Sequence, residues 1–187
     1  MNREIGDDHP LRAFFSDTLR ESLGARLGID DGDDGDDVNR YLVEMLIRFL
    51  HRDGIYDIRN AFGKRVESVT EMVAEGDVRL NADSFERERR VHKHIGDFLL
   101  FWSGVFPEFL RYLKAPTSRD VLLDVVEQGR FSYHVASTFE HPPHEQEAET
   151  FRKLSSHFVE YQYGLRLVRA SFESFGGGTD WTDGFRA

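Results

Sequence analysis

Apolar residues recur at spacings of three and four along most of this chain, and no run alternates strictly enough to make a strand, so the pattern predicts helices nearly throughout. The first spans Pro10 to Leu27, with Leu11, Phe14, Phe15, Leu19 and Leu23 on one side and Gly24 and Gly28 loosening its end. DDGDDGDD, Asp30 to Asp37, follows. Like charges repel and glycine adds freedom, which predicts a mobile acidic loop over 28–37. A second helix, Val38 to Arg52, is apolar except for a stripe of Arg40, Glu44, Arg48 and His51, and Gly54 stops it. A short helix is expected within Ile55 to Gly63. Val66, Val69 and Val73 mark another that ends at Gly76.

The stretch from Ser84 to Lys114 changes character midway. It starts as a charged helix, capped by Asn81 or Asp83 with Glu86 in capping-box register to Asp83, and becomes wholly apolar from Phe98 to Trp102. Gly104 interrupts it, Pro107 restarts a short helix with Glu108 at its positive end, and Pro116 closes that piece. Val121, Leu122, Val125, Val126, Tyr133 and Ala136 define the next helix, with Gly129 and Ser132 near the same face. After the HPPHE turn, His141 to Glu145, a single long helix carries Phe151, Leu154, Phe158, Tyr161, Leu165, Val168 and Phe172 as one stripe. Gly176 to Gly178 end the order, leaving 176–187 as a flexible tail. The expected fold is all-α, a single-domain compact helical bundle over 1–175 with about five main helices plus short ones.

Composition narrows the class. A length of 187 residues suits one sizeable core, and 40% hydrophobic with 31% charged residues describes a soluble globular chain rather than a disordered one. Sixteen Phe predict a core built on phenylalanine layers. The excess of 34 acidic over 24 basic residues gives a net charge of −10, which disfavours nucleic acid and anionic membranes as partners. There is no cysteine, so disulfides, thiolate metal sites and cysteine nucleophiles are excluded, and a cytoplasmic location fits. No secretory leader or membrane span is visible.

Candidate chemistry centres on the same stretch. At about 100° per residue, Glu86, Arg90, His94 and Asp97 fall within a quarter-turn of one another. His94 and Asp97, three apart, can serve as a base and its orienter or reach one ligand together, which makes His94, Asp97 and Glu86 the catalytic candidates, with Glu44 as a further carboxylate. The competing reading is an anchor. Asp97 accepts from His94 or from an arginine on a neighbouring helix, or, if the helix breaks at Gly96, it caps the apolar half. The residues favour the anchor. No glutamate has a histidine three residues later, so the di-metal motif of helical bundles is absent, and neither metal nor cofactor is implied. Asp33, Asp37 and Glu44 match three positions of a calcium loop, but Gly35 and Val38 stand at a ligand position and at the required glycine, which favours a solvated acidic loop. Arg87, Arg89, Arg90 and Lys93 form a short basic patch diluted by Glu86 and Glu88.

Gly96, Asp97, Leu100, Phe101, Gly104, Phe106, Pro107 and Glu108 stand in an order, Gly-Asp, Leu-Phe, Gly, Phe-Pro-Glu, that resembles an uncharacterised bacterial family of all-helical proteins, and GRFSYHVA, Gly129 to Ala136, is a weaker echo. The resemblance implies a bacterial source and no particular activity. The expected function class is therefore a soluble binding or scaffold protein, self-associating as a homodimer through an apolar helix face. The alternatives are a metal-binding or acid–base enzyme using the His/carboxylate cluster, and a carrier of an apolar small ligand lined by Phe98, Phe101 and Trp102.

Overall fold

The computed structural model describes residues 9–27, 33–112 and 124–174, and their regular structure is helical apart from one isolated bridge between Arg59 and Arg65. The helices are α1 (Pro10–Leu27), α2 (Asp33–Phe49), α3 (Arg52–Ile55), α4 (Val69–Gly76), α5 (Phe85–Val105), a 3-10 turn (Pro107–Tyr112), α6 (Val125–Ser137), α7 (Glu145–Ser156) and α8 (Phe158–Ser174). The all-α expectation holds, and one hydrophobic cluster draws on all of α1 to α8. No described helix is long and apolar enough to cross a membrane. The tail 176–187, the stop at Pro116, the positions Val121 and Leu122, and residues 28–32 of the acidic loop lie outside the described residues.

The spine is α5. From His94 to Val105 every residue is buried, because α4, α6 and α8 pack around it. Phe49, Trp102 and Phe106 surround Phe101 in edge-on or tilted contacts at centroid separations of 5.1–5.7 Å, a favourable geometry for aromatic quadrupoles. The phenylalanine-built core is thus real and is concentrated at the apolar half of this helix. Its C-terminal carbonyl at Val105 accepts from Arg169 Nη1 of α8 at 2.9 Å, a cation placed at the negative helix end.

Several boundaries differ from the sequence pattern. Residues 33–37 belong to α2 and not to a loop. The first turn of a helix favours negative charge because of the helix dipole, so an acidic run is compatible with a helix start. The same helix ends at Phe49, and the short helix sits at Arg52–Ile55 rather than further on. The cap of α5 is Ser84, whose Oγ accepts from Arg87 N at 3.2 Å; Asn81 instead donates to Glu75, and Asp83 accepts from Ser84. The helix is continuous through Gly96, so Asp97 is not a cap. The single long C-terminal helix is two, α7 and α8, broken at His157. Its stripe survives the break: Phe151, Leu154, Phe158, Tyr161, Leu165 and Val168 are all buried.

The capping assignment is directly testable. Ser84→Ala should lower stability in urea unfolding by about 1 kcal/mol, whereas Asp83→Ala should change it by less than about half that.

Candidate functional site

Asp97 has no exposed surface, and its carboxylate is met by four donors. Oδ1 accepts from the Tyr41 hydroxyl at 2.5 Å and the Tyr133 hydroxyl at 2.8 Å. Oδ2 accepts from Arg48 Nη2 at 2.5 Å and Lys93 Nζ at 3.2 Å. Tyr41 and Arg48 lie seven apart on α2 and so share a face. Lys93 is one turn before Asp97 on α5, and Tyr133 comes from α6. Arg48 and Lys93 are 37% and 19% exposed, so the two cations enter from the rim while the carboxylate stays dry.

Gly96 explains the Gly-Asp pair. A Cβ built there would lie 2.8 Å from two atoms of the Tyr133 ring. Only a residue without a side chain lets the ring lie flat on α5 so that its hydroxyl reaches the neighbouring carboxylate. The ring also stacks on Phe151 of α7 at 6.0 Å.

The electrostatics oppose proton transfer at neutral pH. Burial pushes the Asp97 carboxyl up, but Lys93, Arg48 and the two phenols outweigh it and bring it down to about 2. Burial and the Asp97 charge push both phenols well above their ordinary range. The Arg48 guanidinium is moved down by burial and further up by Asp97, so it stays charged.

His94 belongs to a different environment. Its Nε2 lies 2.9 Å from the Ile55 carbonyl, which can only accept, so Nε2 carries the proton and donates. Its ring sits against Phe49 and Phe98. Burial lowers its pKa to about 4, so it is neutral at pH 7. Glu86 is exposed, about 16 Å before Asp97 by helix rise, and pairs with His144 at 2.8 Å and with Arg89. Glu44 pairs with Arg12. The three catalytic candidates therefore do not form one cluster. Helical rotation places side chains on a face, but axial distance and neighbouring helices sent these three to separate partners.

The remaining candidates resolve similarly. Asp33, Asp37 and Glu44 lie on one continuous helix, which cannot wrap a cation as a loop does. Among the described residues no group of three or more His, Asp or Glu could hold a metal ion. Arg87, Arg89, Arg90 and Lys93 pair with Glu75, Glu147, Asp57 and Asp97 respectively, so the basic patch is already neutralised. Phe98 and Phe101 have no exposure, and Trp102 packs on both. The sequence reading missed Tyr41, Arg48, Lys93 and Tyr133 as partners of Asp97. Its nearest signals were Arg48 in the polar stripe of α2, the i, i+4 spacing of Lys93 and Asp97, and the small residues near Tyr133.

What the cluster can do is hold a charge. A general base works best with a pKa near the working pH, and neither Asp97 nor His94 is there.

Asp97→Asn should destabilise the fold by about 3–5 kcal/mol in urea unfolding, because Arg48 and Lys93 lose their counter-charge. Gly96→Ala should cost about 1–3 kcal/mol despite alanine's better helix propensity, since the ring of Tyr133 has to move. The pH dependence has two limbs. His94 ordinarily titrates near 6.5 and in the fold near 4, so the unfolded chain takes up the proton first, and stability falls as pH drops from about 6.5 to 4, by on the order of 3 kcal/mol. Asp97, depressed from 3.8 to about 2, then removes its own contribution as pH falls from about 4 to 2. Chemical denaturation across pH should show the upper limb flattened in His94→Gln. No family model, curated protein or solved structure matches this chain, so its function is read from its own geometry.

Proposed function

We propose that this chain is a cytoplasmic binding or scaffold protein that pairs with a second copy of itself. The observation that carries this is a cluster of exposed apolar side chains beside the N-terminal half of α5. Phe85 is 71% exposed, Leu80 66% and Phe131 55%. Phe85 and His92, seven apart, share a face of α5, and the Phe131 ring lies 5.9 Å from that of His92. Gly76, which packs on His92, leads into the turn bearing Val78 and Leu80. Folding leaves these groups in water, and a second copy laid over them would remove that apolar area from solvent.

A second copy suits this surface because its charges are locally balanced. Arg79 is held by Asp77 through three hydrogen bonds, with Glu88 nearby. A two-fold contact places the same patch against itself, so a rim with both signs can pair across the axis. The net charge of −10 repels copies at long range, and this balanced rim removes the repulsion where they touch. The cysteine-free composition suits a reducing compartment.

An acid–base enzyme at Asp97 is less well supported, because that carboxylate is enclosed and its donors are fully engaged.

Sedimentation equilibrium should show a dimer, and Phe85→Asp and Phe131→Asp should each weaken it by about tenfold or more. Both positions are exposed, so the variants should keep the wild-type helical circular dichroism. A monomer at every attainable concentration would sink the proposal.

A further inference from the structure

A cleft of about 190 Å³ opens between the turn over residues 60–66 and one face of α4. It lies apart from the Asp97 centre and shares none of its residues with the apolar patch. Its turn wall carries Asn60, Lys64, Arg65 and Val66, the Arg65 guanidinium being paired with Asp53; its helix wall carries Glu71, Ala74 and Glu75, which fall within one turn and so line one side of α4. Asn81 closes the helix side.

The hydrogen-bonding capacity left over on the two walls is of opposite kinds. Asn60 Oδ1 accepts from the backbone N–H groups of Phe62 and Lys64, both at 3.0 Å, which orients the amide and leaves its Nδ2 as a donor. Lys64 lines the same wall and has no ion-pair partner among the described residues. Asn81 Nδ2 donates to Glu75 Oε1 at 3.1 Å, which leaves its Oδ1 as an acceptor. The Glu71 carboxylate on the same wall also has no ion-pair partner among the described residues. One wall therefore offers donors and a positive charge, the other acceptors and a negative charge, with Val66 and Ala74 as small apolar groups between them.

The walls are fixed before any ligand arrives. Arg87 Nη2 donates to the Arg59 carbonyl at 2.9 Å on the turn and also to Glu75 on α4, so one guanidinium ties both sides. Glu75 is itself buried, and its charge is satisfied by Arg87 and Asn81. The turn is closed by the bridge between Arg59 and Arg65 and by Gly63 at φ +74°, a conformation that favours glycine. The backbone of both walls is thus set in advance, and binding has to order only the Lys64 and Glu71 side chains.

We infer that this cleft binds a small zwitterion, a free α-amino acid, with its carboxylate on Lys64 and Asn60 and its ammonium on Glu71 and Asn81. The inference follows from the size of the space and from the pairing of opposite unused charges across it. A simple anion would leave Glu71 facing it, and a simple cation would leave Lys64 facing it; only a molecule carrying both charges satisfies both walls. The short apolar floor suits a small side chain.

The test titrates nitrogen-15-labelled full-length protein with L-alanine, N-acetyl-L-alanine and L-alaninamide, reading backbone amide shifts. L-alanine should give saturable shifts confined to residues 60–66, 71–75 and 81, and each charge-deleted analogue should bind on the order of tenfold more weakly. Lys64→Met should weaken L-alanine and erase its advantage over the amide. Glu71→Gln should erase its advantage over the acetylated form. Both positions are exposed, so both variants should fold. Three results would each overturn the inference: no saturable shift with any standard amino acid, analogues that bind as well as L-alanine, or variants that keep the wild-type discrimination.

Discussion

The Asp97 carboxylate sits with no contact to water, and a charge so placed costs several kcal/mol unless its lone pairs are met by well-placed donors. Here two phenols take one oxygen and two cations take the other, and the donors come from α2, α5 and α6. Sliding or rotating any of these helices breaks a bond to a buried ion. An apolar core of the same size would tolerate such slips more readily, because dispersion contacts are non-directional. The polar centre therefore sets the register in which the aromatic core closes, and Gly96 is the residue that lets α6 come near enough.

The groups with the strongest titration shifts are enclosed and engaged, so they shape the fold and stay out of reach of a substrate. The groups left in water include apolar side chains such as Phe85 and Phe131 and a polar cleft lined by Lys64 and Glu71. Both lie at the charged half of α5 and its neighbours, away from the apolar half that Phe101 and Trp102 bury. A single helix thus begins at the solvent-exposed Phe85 and ends inside the core.

Much of the helical frame was legible. The stripe of Leu11, Phe15, Leu19 and Leu23 marked α1 at its observed ends, and the apolar run from Phe98 to Trp102 marked a helix enclosed on all sides. The failures have local causes. Asp33 to Asp37 look like a loop by repulsion, yet they sit where the helix dipole welcomes negative charge. Asn81, Asp83 and Ser84 are equally good capping types within four residues, and only the bonds that engage Asn81 and Asp83 leave Ser84 as the cap. The break at His157 leaves no trace in the stripe, since the spacing of Leu154, Phe158 and Tyr161 is kept across it. For the site, the sequence singled out Asp97 and its need of a partner from another helix, and it anticipated an arginine in that role.

The amino-acid order by itself determined which segments coil, which faces must be dry and that a carboxylate would be carried into the core, because these follow from spacing and from the cost of hydrating or burying each group. Only the tertiary structure decided that Tyr41, Arg48, Lys93 and Tyr133 meet Asp97, that His94 turns to the Ile55 carbonyl, and that Glu86 stays outside. Apart from Lys93, one turn away on the same helix, those are contacts across tens of residues, chosen by which helix faces pack together and how closely their backbones approach. No pattern read along one helix contains that choice.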